Sequence, residues 1–183
     1  MSITVAKSAG FCFGVNRAIN IVNSLLDKNV KVSTLGPIIH NMEVVNELES
    51  RGCKAVDNID EVEKDATLVI RSHGVPKYVI DKLDENGVKY EDATCPFVKK
   101  IHNIVANPDN KDGIVLIAGN SVHPEVEGII GHCSTECHTF KNSEEIDEIY
   151  NIVLKKNNKQ VFVVAQTTFD TKEWKKCVKK IKK

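Results

Sequence analysis

The feature that most constrains the fold is a repeated alternation between short β-branched apolar runs and longer amphipathic stretches. The apolar runs predict six strands, which are Thr4–Lys7, Val30–Thr34, Ala66–Arg71, Val88–Asp92, Gly113–Ala118 and Gln160–Ala165. The stretches between them predict six helices, which are Val15–Asp27, Met42–Ser50, Lys77–Asn86, Phe97–Ala106, Glu125–Ile130 and Glu144–Lys155. Because a repeated strand-then-helix order is typical of βαβ units, we expect an α/β fold built on parallel sheet.

The length of the chain sets how many such units fit into it. Its 183 residues leave room for one domain or two small lobes, since a domain takes roughly 100–200 residues. The densest cluster of turn-forming residues lies at Asn107–Gly113, with βαβ units on both sides. We therefore expect two lobes, residues 1–96 and residues 97–183, each a mainly parallel sheet flanked by helices.

Composition and charge exclude several classes of protein. Hydrophobic residues make up 42% and charged residues 27%, which argues against disordered, collagen-like and coiled-coil chains. Lys plus Arg and Asp plus Glu number 25 each, which argues against a generally basic nucleic-acid binder. The segment Lys172–Lys183 carries seven Lys and one Glu, but Trp174, Val178 and Ile181 recur in it at helical spacing. This pattern predicts a solvated surface helix rather than a basic tail that binds anionic partners.

No targeting or membrane segment is expected from the sequence. No stretch reaches the roughly 18 apolar residues of a membrane-spanning helix, and the N-terminus reads as a short strand rather than a signal peptide. These observations predict a cytoplasmic protein with no membrane partner. In a reducing compartment, the six cysteines are interpreted as metal ligands, catalytic thiols or core residues before they are interpreted as disulfides.

Chemically reactive residues cluster just after the predicted strands. These residues are Cys12, His40, His73, Cys95, His123, Glu125, Thr167 and Thr168. Ligands of open parallel sheets bind beyond the carboxyl ends of the strands, where the N-termini of the following helices favour anions such as phosphate. The residues therefore predict a site for a phosphorylated small molecule, and the two thiols predict an accompanying metal. Gly14, Gly36 and Gly74 are interpreted as permitting tight turns at these junctions.

Four further candidates are weighed against plainer interpretations. The segment His132–His138 offers four soft ligands, but it has no second Cys/His pair at the distance typical of zinc sites, so a zinc site is not favoured. Cys53 is interpreted as a small packing residue and His102 as a partly exposed surface histidine. Cys177 lies on a predicted helix and is not taken as a metal ligand.

Six successive motifs resemble those of the 4-hydroxy-3-methylbut-2-enyl diphosphate reductases. They are Phe11-Cys12-Phe13-Gly14-Val15-Asn16-Arg17-Ala18, Gly36-Pro37-Ile38-Ile39-His40-Asn41, Arg71-Ser72-His73-Gly74-Val75, Asp92-Ala93-Thr94-Cys95-Pro96, His123-Pro124-Glu125-Val126-Glu127-Gly128 and Gln166-Thr167-Thr168. The motifs occur in order across nearly the whole chain. The resemblance implies an iron–sulfur oxidoreductase of the methylerythritol phosphate pathway of isoprene biosynthesis, which forms isopentenyl and dimethylallyl diphosphates by removing a hydroxyl group.

The resemblance also implies a cofactor, an electron donor and specific roles for site residues. It implies a three-lobed fold around a 4Fe-4S cluster, and it assigns Cys12 and Cys95 as two of three cluster ligands. A small ferredoxin or flavodoxin is the implied electron donor. His40, His73 and His123 match the residues that bind the diphosphate.

The catalytic roles are carried over in the same way. Glu125 matches the acid that supplies a proton, and Thr167 matches the hydroxyl that orients both Glu125 and the substrate alcohol. Thr168 is a neighbour with no assigned role. An acid in this role must lie within hydrogen-bond reach of the reacting oxygen or carbon.

The chain departs from the family pattern after Lys183, where the family continues into a third lobe that carries the third cluster cysteine. We therefore expect a truncated form that is inactive alone and possesses an incomplete cluster site. The resemblance also implies that Ile3–Lys7 pairs with the sheet of that third lobe, so we expect this segment to be frayed here or to pair with a neighbouring molecule. A non-catalytic phosphate-binding α/β module is the alternative, and the oligomeric state stays open.

Overall fold

The computed structural model describes residues 2–7, 9–109, 112–151 and 160–182. The chain divides into two compact units, the first comprising Met1–Ser72 with Val88–Cys95 and the second comprising His73–Gly87 with Pro96–Lys183. Each unit has its own parallel sheet with helices packed against it. The expected α/β class with two parallel sheets is confirmed.

The first unit is built on a four-stranded parallel sheet in the order β2-β1-β3-β4. Its strands are β1 Val32–Leu35, β2 Cys53–Val56, β3 Thr67–Ile70 and β4 Tyr90–Asp92. Its helices are α1 Phe13–Leu26 and α2 Met42–Ser50, and a 3₁₀ turn spans Ile59–Glu61. In this register Val32 lies opposite both Cys53 and Thr67, so β1 is paired on both edges.

Burial of the central strands explains why they read as uninterrupted apolar runs. All four residues of β3 are buried, as parallel strands covered on both faces normally are. Ala18 and Val22 from the inner face of α1 pack with Val32 and Val69, and none of the four is more than 2% exposed. The buried residues of α1 recur at helical spacing, so they form one apolar face that packs against the sheet.

The second unit is built on a three-stranded parallel sheet in the order β6-β5-β7. Its strands are β5 Ile114–Ala118, β6 Glu136–Phe140 and β7 Val161–Ala165. Its helices are α3 Lys77–Glu85, α4 Pro96–Ala106, α5 Pro124–His132, α6 Glu145–Ile149 and α7 Thr171–Ile181.

The central strand β5 separates two hydrophobic clusters. Its five residues are all 0% exposed, and alternate side chains enter opposite clusters. Leu116 packs on one face with Phe140 and Cys177, whereas Ile117 packs on the other with Val126. A five-residue strand therefore organises both layers of helices in this unit.

Residues 73–87 belong to the second compact unit although they lie between β3 and β4 in the chain. Contacts with α5 hold this segment: His132 Nε2 lies 3.1 Å from the carbonyl oxygen of Val75, and Gly131 lacks the side chain that would collide with Pro76. A Cβ on Gly131 would lie 2.8 Å from Pro76 Cα. The lobe division at residue 96 stays a prediction.

Thr4–Lys7 forms no strand in this structure, which agrees with the expectation that the segment is frayed without the third lobe. Residues 3–6 have no regular secondary structure, and neither described sheet includes them. Ile3 and Val5 are 87% and 74% exposed. An alternating apolar pattern can predict that a segment suits a strand, but a strand also needs a neighbouring edge to hydrogen-bond.

The remaining elements agree with the sequence pattern to differing degrees. The other five predicted strands are present as β1, β3, β4, β5 and β7. The helix expected around Trp174, Val178 and Ile181 is present as α7. Of the helix expected at Glu144–Lys155, α6 is described at Glu145–Ile149, and residues 152–159 lie outside the described residues. Within the described part of the chain, no helix has the length and apolar character that a membrane crossing requires.

We expect the substitution Ile117→Ala to lower the free energy of unfolding by about 2–5 kcal/mol, because it opens a cavity beside a fully buried strand. Urea denaturation measures the effect. The matched control is Ile104→Ala on α4, where the side chain is 43% exposed and the loss should be much smaller. Equal losses for the two substitutions would contradict the assignment of β5 to the core.

Candidate functional site

Cys12 and Cys95 lie at two helix starts. Cys12 occupies the N-cap position of α1 with an extended backbone, and its exposed side chain makes no capping hydrogen bond. Cys95 is half-buried and directly precedes Pro96, the first residue of α4. Both residues therefore place a free thiol, a metal ligand in its deprotonated form, at the start of a helix.

Close packing in the first unit brings the first turn of α1 against Cys95. A Cβ on Gly14 would lie only 2.5 Å from Cys95 Sγ, so no larger residue fits there without a shift. Arg17 donates to the carbonyl oxygens of Asp92 at 3.1 Å and Thr94 at 3.3 Å. Gly14 is therefore needed for close approach inside a helix, and its expected role in a tight turn is wrong.

The two cysteines fit a soft metal or iron–sulfur group by the chemistry of their side chains. Both are free thiols, and the sulfur of Cys95 packs against the backbone of α1 at Gly14, in the space that a side chain there would fill. Thiolates are the usual ligands of iron–sulfur clusters. The expectation of a thiolate-bound metal is compatible with this placement.

His40 follows β1 on a short connection to α2. The connection turns at Gly36, whose φ of 67° suits glycine, and the buried residues Ile38 and Ile39 anchor it. Asn41 accepts from the backbone N–H of Val44 at 3.1 Å and caps α2. The result is an exposed imidazole at the start of α2, as the sequence predicts.

His123 caps α5 through its ring. The backbone N–H of Glu125 donates to His123 Nδ1 at 3.1 Å. Because Nδ1 accepts this bond, the neutral ring carries its proton on Nε2 and presents a donor there. His73 packs edge-on against the same ring, with 5.6 Å between ring centroids, so the second unit places two of the expected anion-binding imidazoles together.

The carboxylate of Glu125 is buried and bound by Thr167. Glu125 is 2% exposed, and it accepts from the backbone N–H of Thr167 at 2.6 Å and from the Thr167 hydroxyl at 2.8 Å. Its position in the first turn of α5 further favours negative charge. The exposed Thr167 thus links a buried carboxyl group to solvent.

Two residues that sequence reasoning gave no role help to build this pair. A Cβ on Gly119 would lie 2.6 Å from Val126 Cγ2 and 3.1 Å from Gln166 Oε1, so this glycine permits the loop after β7 to approach α5. Gln166 donates to the Thr168 hydroxyl at 2.9 Å. A glycine directly after a buried strand is the sequence signal that could have identified Gly119.

Comparison with known families decides the classification of this chain. The profile of a family described as "LytB protein" matches residues 3–183. The chain belongs to the LytB family. It is 39% identical over 171 residues to a 4-hydroxy-3-methylbut-2-enyl diphosphate reductase of Clostridioides difficile (strain 630). It is 43% identical over 173 residues to one of Alkaliphilus oremlandii (strain OhILAs).

These LytB relatives are longer than the chain. Each of the two alignments covers 93% of the chain and 60% of the relative. A solved structure of (E)-4-hydroxy-3-methyl-but-2-enyl diphosphate reductase has a TM-score of 0.83 and 36% identity, over 98% of this chain and 63% of that one. The E-1-hydroxy-2-methyl-but-2-enyl-4-diphosphate reductase of Plasmodium falciparum has a TM-score of 0.85 and 29% identity, over 96% and 54%. The described fold is thus the LytB fold over this part of the relatives.

The soft-ligand segment His132–His138 of this LytB chain does not form a zinc site in the structure. The ring nitrogen of His132 is engaged with the Val75 carbonyl, and His138 Nε2 lies 2.9 Å from the carboxylate of Glu136. Among the described residues, no group of three or more metal-binding side chains includes this segment.

His102 differs from its predicted environment. It is 5% exposed and stacks on His132, with 4.1 Å between ring centroids. The expectation of a surface histidine is wrong because α4 packs against α5 at Gly128, where a Cβ would lie 3.2 Å from His102 Nε2. The glycine leaves room for the ring.

The core cysteines agree with their expected roles. Cys53 is 5% exposed, and burial raises the pKa of its thiol to about 11. Cys177 is 0% exposed within a hydrophobic cluster on α7, and burial raises its pKa as well. Neither thiol is available as a thiolate ligand near neutral pH.

We expect His123→Ala to lower the free energy of unfolding by about 0.5–2 kcal/mol, because the N-terminus of α5 loses its cap. His123→Asn should restore most of the loss, since Asn caps helices well. Urea denaturation of both variants tests this. A loss of equal size in the two variants would show that the ring contributes packing and not a cap.

Proposed function

We propose that the protein acts as a 4-hydroxy-3-methylbut-2-enyl diphosphate reductase in the cytoplasm. In this reaction the substrate hydroxyl leaves as water, and two electrons and two protons are consumed to give isopentenyl or dimethylallyl diphosphate. The observation that carries the proposal is the buried Glu125–Thr167 pair at the start of α5, within a chain whose relatives carry that name. The chain spans about three fifths of their length.

In the proposed function, the imidazoles and the helix N-termini bind the diphosphate. His123 offers its Nε2–H as a donor, and His73 lies beside it. The N-terminus of α5 adds free backbone N–H groups and the positive end of the helix dipole. Resemblance to the family adds His40 to the diphosphate ligands.

Glu125 and Thr167 form the route for the proton. Both carboxylate oxygens of Glu125 are held by Thr167, one by the backbone N–H and one by the hydroxyl. The exposed hydroxyl oxygen of Thr167 retains lone pairs that accept a hydrogen bond from the substrate alcohol. When Glu125 is protonated, these bonds run in the opposite direction: Glu125 donates to the Thr167 hydroxyl oxygen, and the Thr167 hydroxyl passes its own proton to the substrate oxygen as the carbon–oxygen bond breaks.

Cys12 and Cys95 are proposed to hold a 4Fe-4S cluster, which when bound supplies the electrons for the reaction. Two of the four remaining cysteines, Cys53 and Cys177, lie in hydrophobic cores, and the pKa values of both are raised. The resemblance to the family implies that the third cysteine ligand comes from outside residues 1–183. A small ferredoxin or flavodoxin is proposed as the electron donor.

Glu125→Gln should lower turnover by roughly 10²–10⁴-fold, because the amide cannot donate the proton that the carboxyl group donates. Substrate binding, measured by calorimetry, should change little. The assay uses a protein that contains this chain at the full length of its relatives, with a reduced viologen as electron donor.

Glu127→Gln is the matched control for this experiment. It lies on the same first turn of α5, but its side chain is exposed and it should leave turnover unchanged. Full activity of the Glu125→Gln variant would remove Glu125 from the proton route. Substrate binding without turnover in the unsubstituted full-length protein would instead favour a phosphate-binding module.

Cys95→Ser should markedly reduce the iron retained after anaerobic reconstitution with iron and sulfide, since it replaces a thiolate ligand by a poor one. The iron and sulfide content per chain is measured together with the visible absorption of the cluster. Cys133→Ser, at another half-buried cysteine, is the control and should retain iron. If the Cys95→Ser variant holds as much iron as the unsubstituted protein, the proposed ligand assignment is wrong.

A further inference from the structure

The segment His73–Pro76 lies against one side of α5. A Cβ on Gly128 would lie 3.6 Å from the carbonyl oxygen of His73, and a Cβ on Gly131 would lie 2.8 Å from Pro76 Cα. The two glycines are three residues apart, so they lie on the same side of the helix. Because both lack a side chain, the backbone of the segment approaches α5 closely.

His132 adds a hydrogen bond to this packing. Its Nε2 lies 3.1 Å from the carbonyl oxygen of Val75, a residue that is 2% exposed. Because a carbonyl oxygen only accepts hydrogen bonds, the ring carries a proton on Nε2 and donates it there. The bond joins the last turn of α5 to the residue two positions after His73. The position of His73 along α5 therefore depends on this bond as well as on the two glycines.

The ring of His132 is itself held in place. It is half-buried and stacks on His102 of α4, with 4.1 Å between the ring centroids and 19° between the ring planes. His102 is 5% exposed, so the stack rests on a residue of the core. A ring held by packing in this way keeps its Nε2–H directed at one acceptor.

The opposite end of α5 carries two residues of the proposed diphosphate site. His123 caps the helix through its ring, and His73 packs edge-on against that ring. Gly74, with a φ of 75°, is the single residue between His73 and Val75. A shift of Val75 along α5 therefore carries His73 with it and separates the two imidazoles.

We propose that His132 is a positioning residue for diphosphate binding, because through the Val75 carbonyl it holds His73 beside His123. The inference rests on the proposed function, in which these two imidazoles bind the diphosphate. His132 acts through His73 and has no part in the proton route through Glu125. Loss of its hydrogen bond should therefore weaken diphosphate binding and leave proton transfer unchanged.

Two substitutions separate the hydrogen bond from the ring. His132→Phe keeps a ring that can stack on His102 but loses the donor, whereas His132→Gln loses the ring but keeps an N–H donor. Calorimetry with inorganic pyrophosphate, on a protein that contains this chain at the full length of its relatives, should show affinity lowered about 2–10-fold in His132→Phe, the effect of one hydrogen bond. His132→Gln should restore most of that affinity.

His138→Ala is the matched control. His138 is another half-buried imidazole close to α5 in the chain, and its ring lies against the Glu136 carboxylate instead. The variant should bind pyrophosphate as the unsubstituted protein does. Unweakened binding by His132→Phe, or equal weakening in the Phe and Gln variants, would overturn the proposal.

Steady-state kinetics with 4-hydroxy-3-methylbut-2-enyl diphosphate gives a second readout. His132→Phe should raise KM by a factor similar to its loss of pyrophosphate affinity and change kcat little. A substitution that lowered only the stability of the fold would change neither constant of the folded enzyme. A fall in kcat at constant KM would contradict the positioning role.

Imidazole NMR tests the contact without any ligand. In the chain of residues 1–183, above the ordinary pKa of imidazole, His132 should be the Nε2–H tautomer, and His132→Phe should shift the ring signals of His73. An Nδ1–H tautomer, or unmoved His73 signals, would overturn the inference whether or not the protein binds a diphosphate. If these signals are as expected but the unsubstituted protein binds no pyrophosphate, the proposed function and the diphosphate role of His132 are wrong, and only its hold on His73 stands.

Discussion

The burial of one carboxylate constrains most of the second unit. Burying a carboxyl group costs free energy unless hydrogen bonds and favourable dipoles replace its lost hydration. Glu125 obtains them from both donors of Thr167 and from the first turn of α5. Thr167 reaches it only because β7 lies beside β5 with Ala165 opposite Ala118, and because Gly119 leaves room for the loop after β7. The strand order and the chemistry of the site therefore depend on each other.

The cysteines show how strongly location alters a single side-chain type. Cys12 is an exposed thiol at the start of a helix, whereas Cys53 and Cys177 are small apolar residues in hydrophobic cores. Cys133 and Cys137 are both half-buried beside another hydrophobic cluster, the first directly after α5 and the second within β6. Solvation, helix dipoles and neighbouring donors set these differences.

Sequence reasoning succeeded where one local pattern decides the outcome. Continuous apolar runs identified β3 and β5, because a strand covered on both faces has no polar positions to interrupt it. The spacing of Trp174, Val178 and Ile181 identified α7 in the same way. It failed where the structure of a segment depends on the segments that pair with it or pack against it. The sequence pattern did not predict β2, which has only four residues, or β6, in which three of five residues are polar and only Phe140 is buried.

The sequence alone determined the α/β class, the order of strands and helices, and the placement of reactive residues after the strands, since these follow from local periodicity and turn chemistry. Only the tertiary structure decided which residues touch: Gly14 against Cys95, Thr167 against Glu125, and His102 stacked on His132 in the space left by Gly128. It also left residues 3–6 without a strand. The physical reason is that contacts between residues distant in the chain depend on packing volume and available hydrogen-bond partners, and neither is encoded in a window of a few residues.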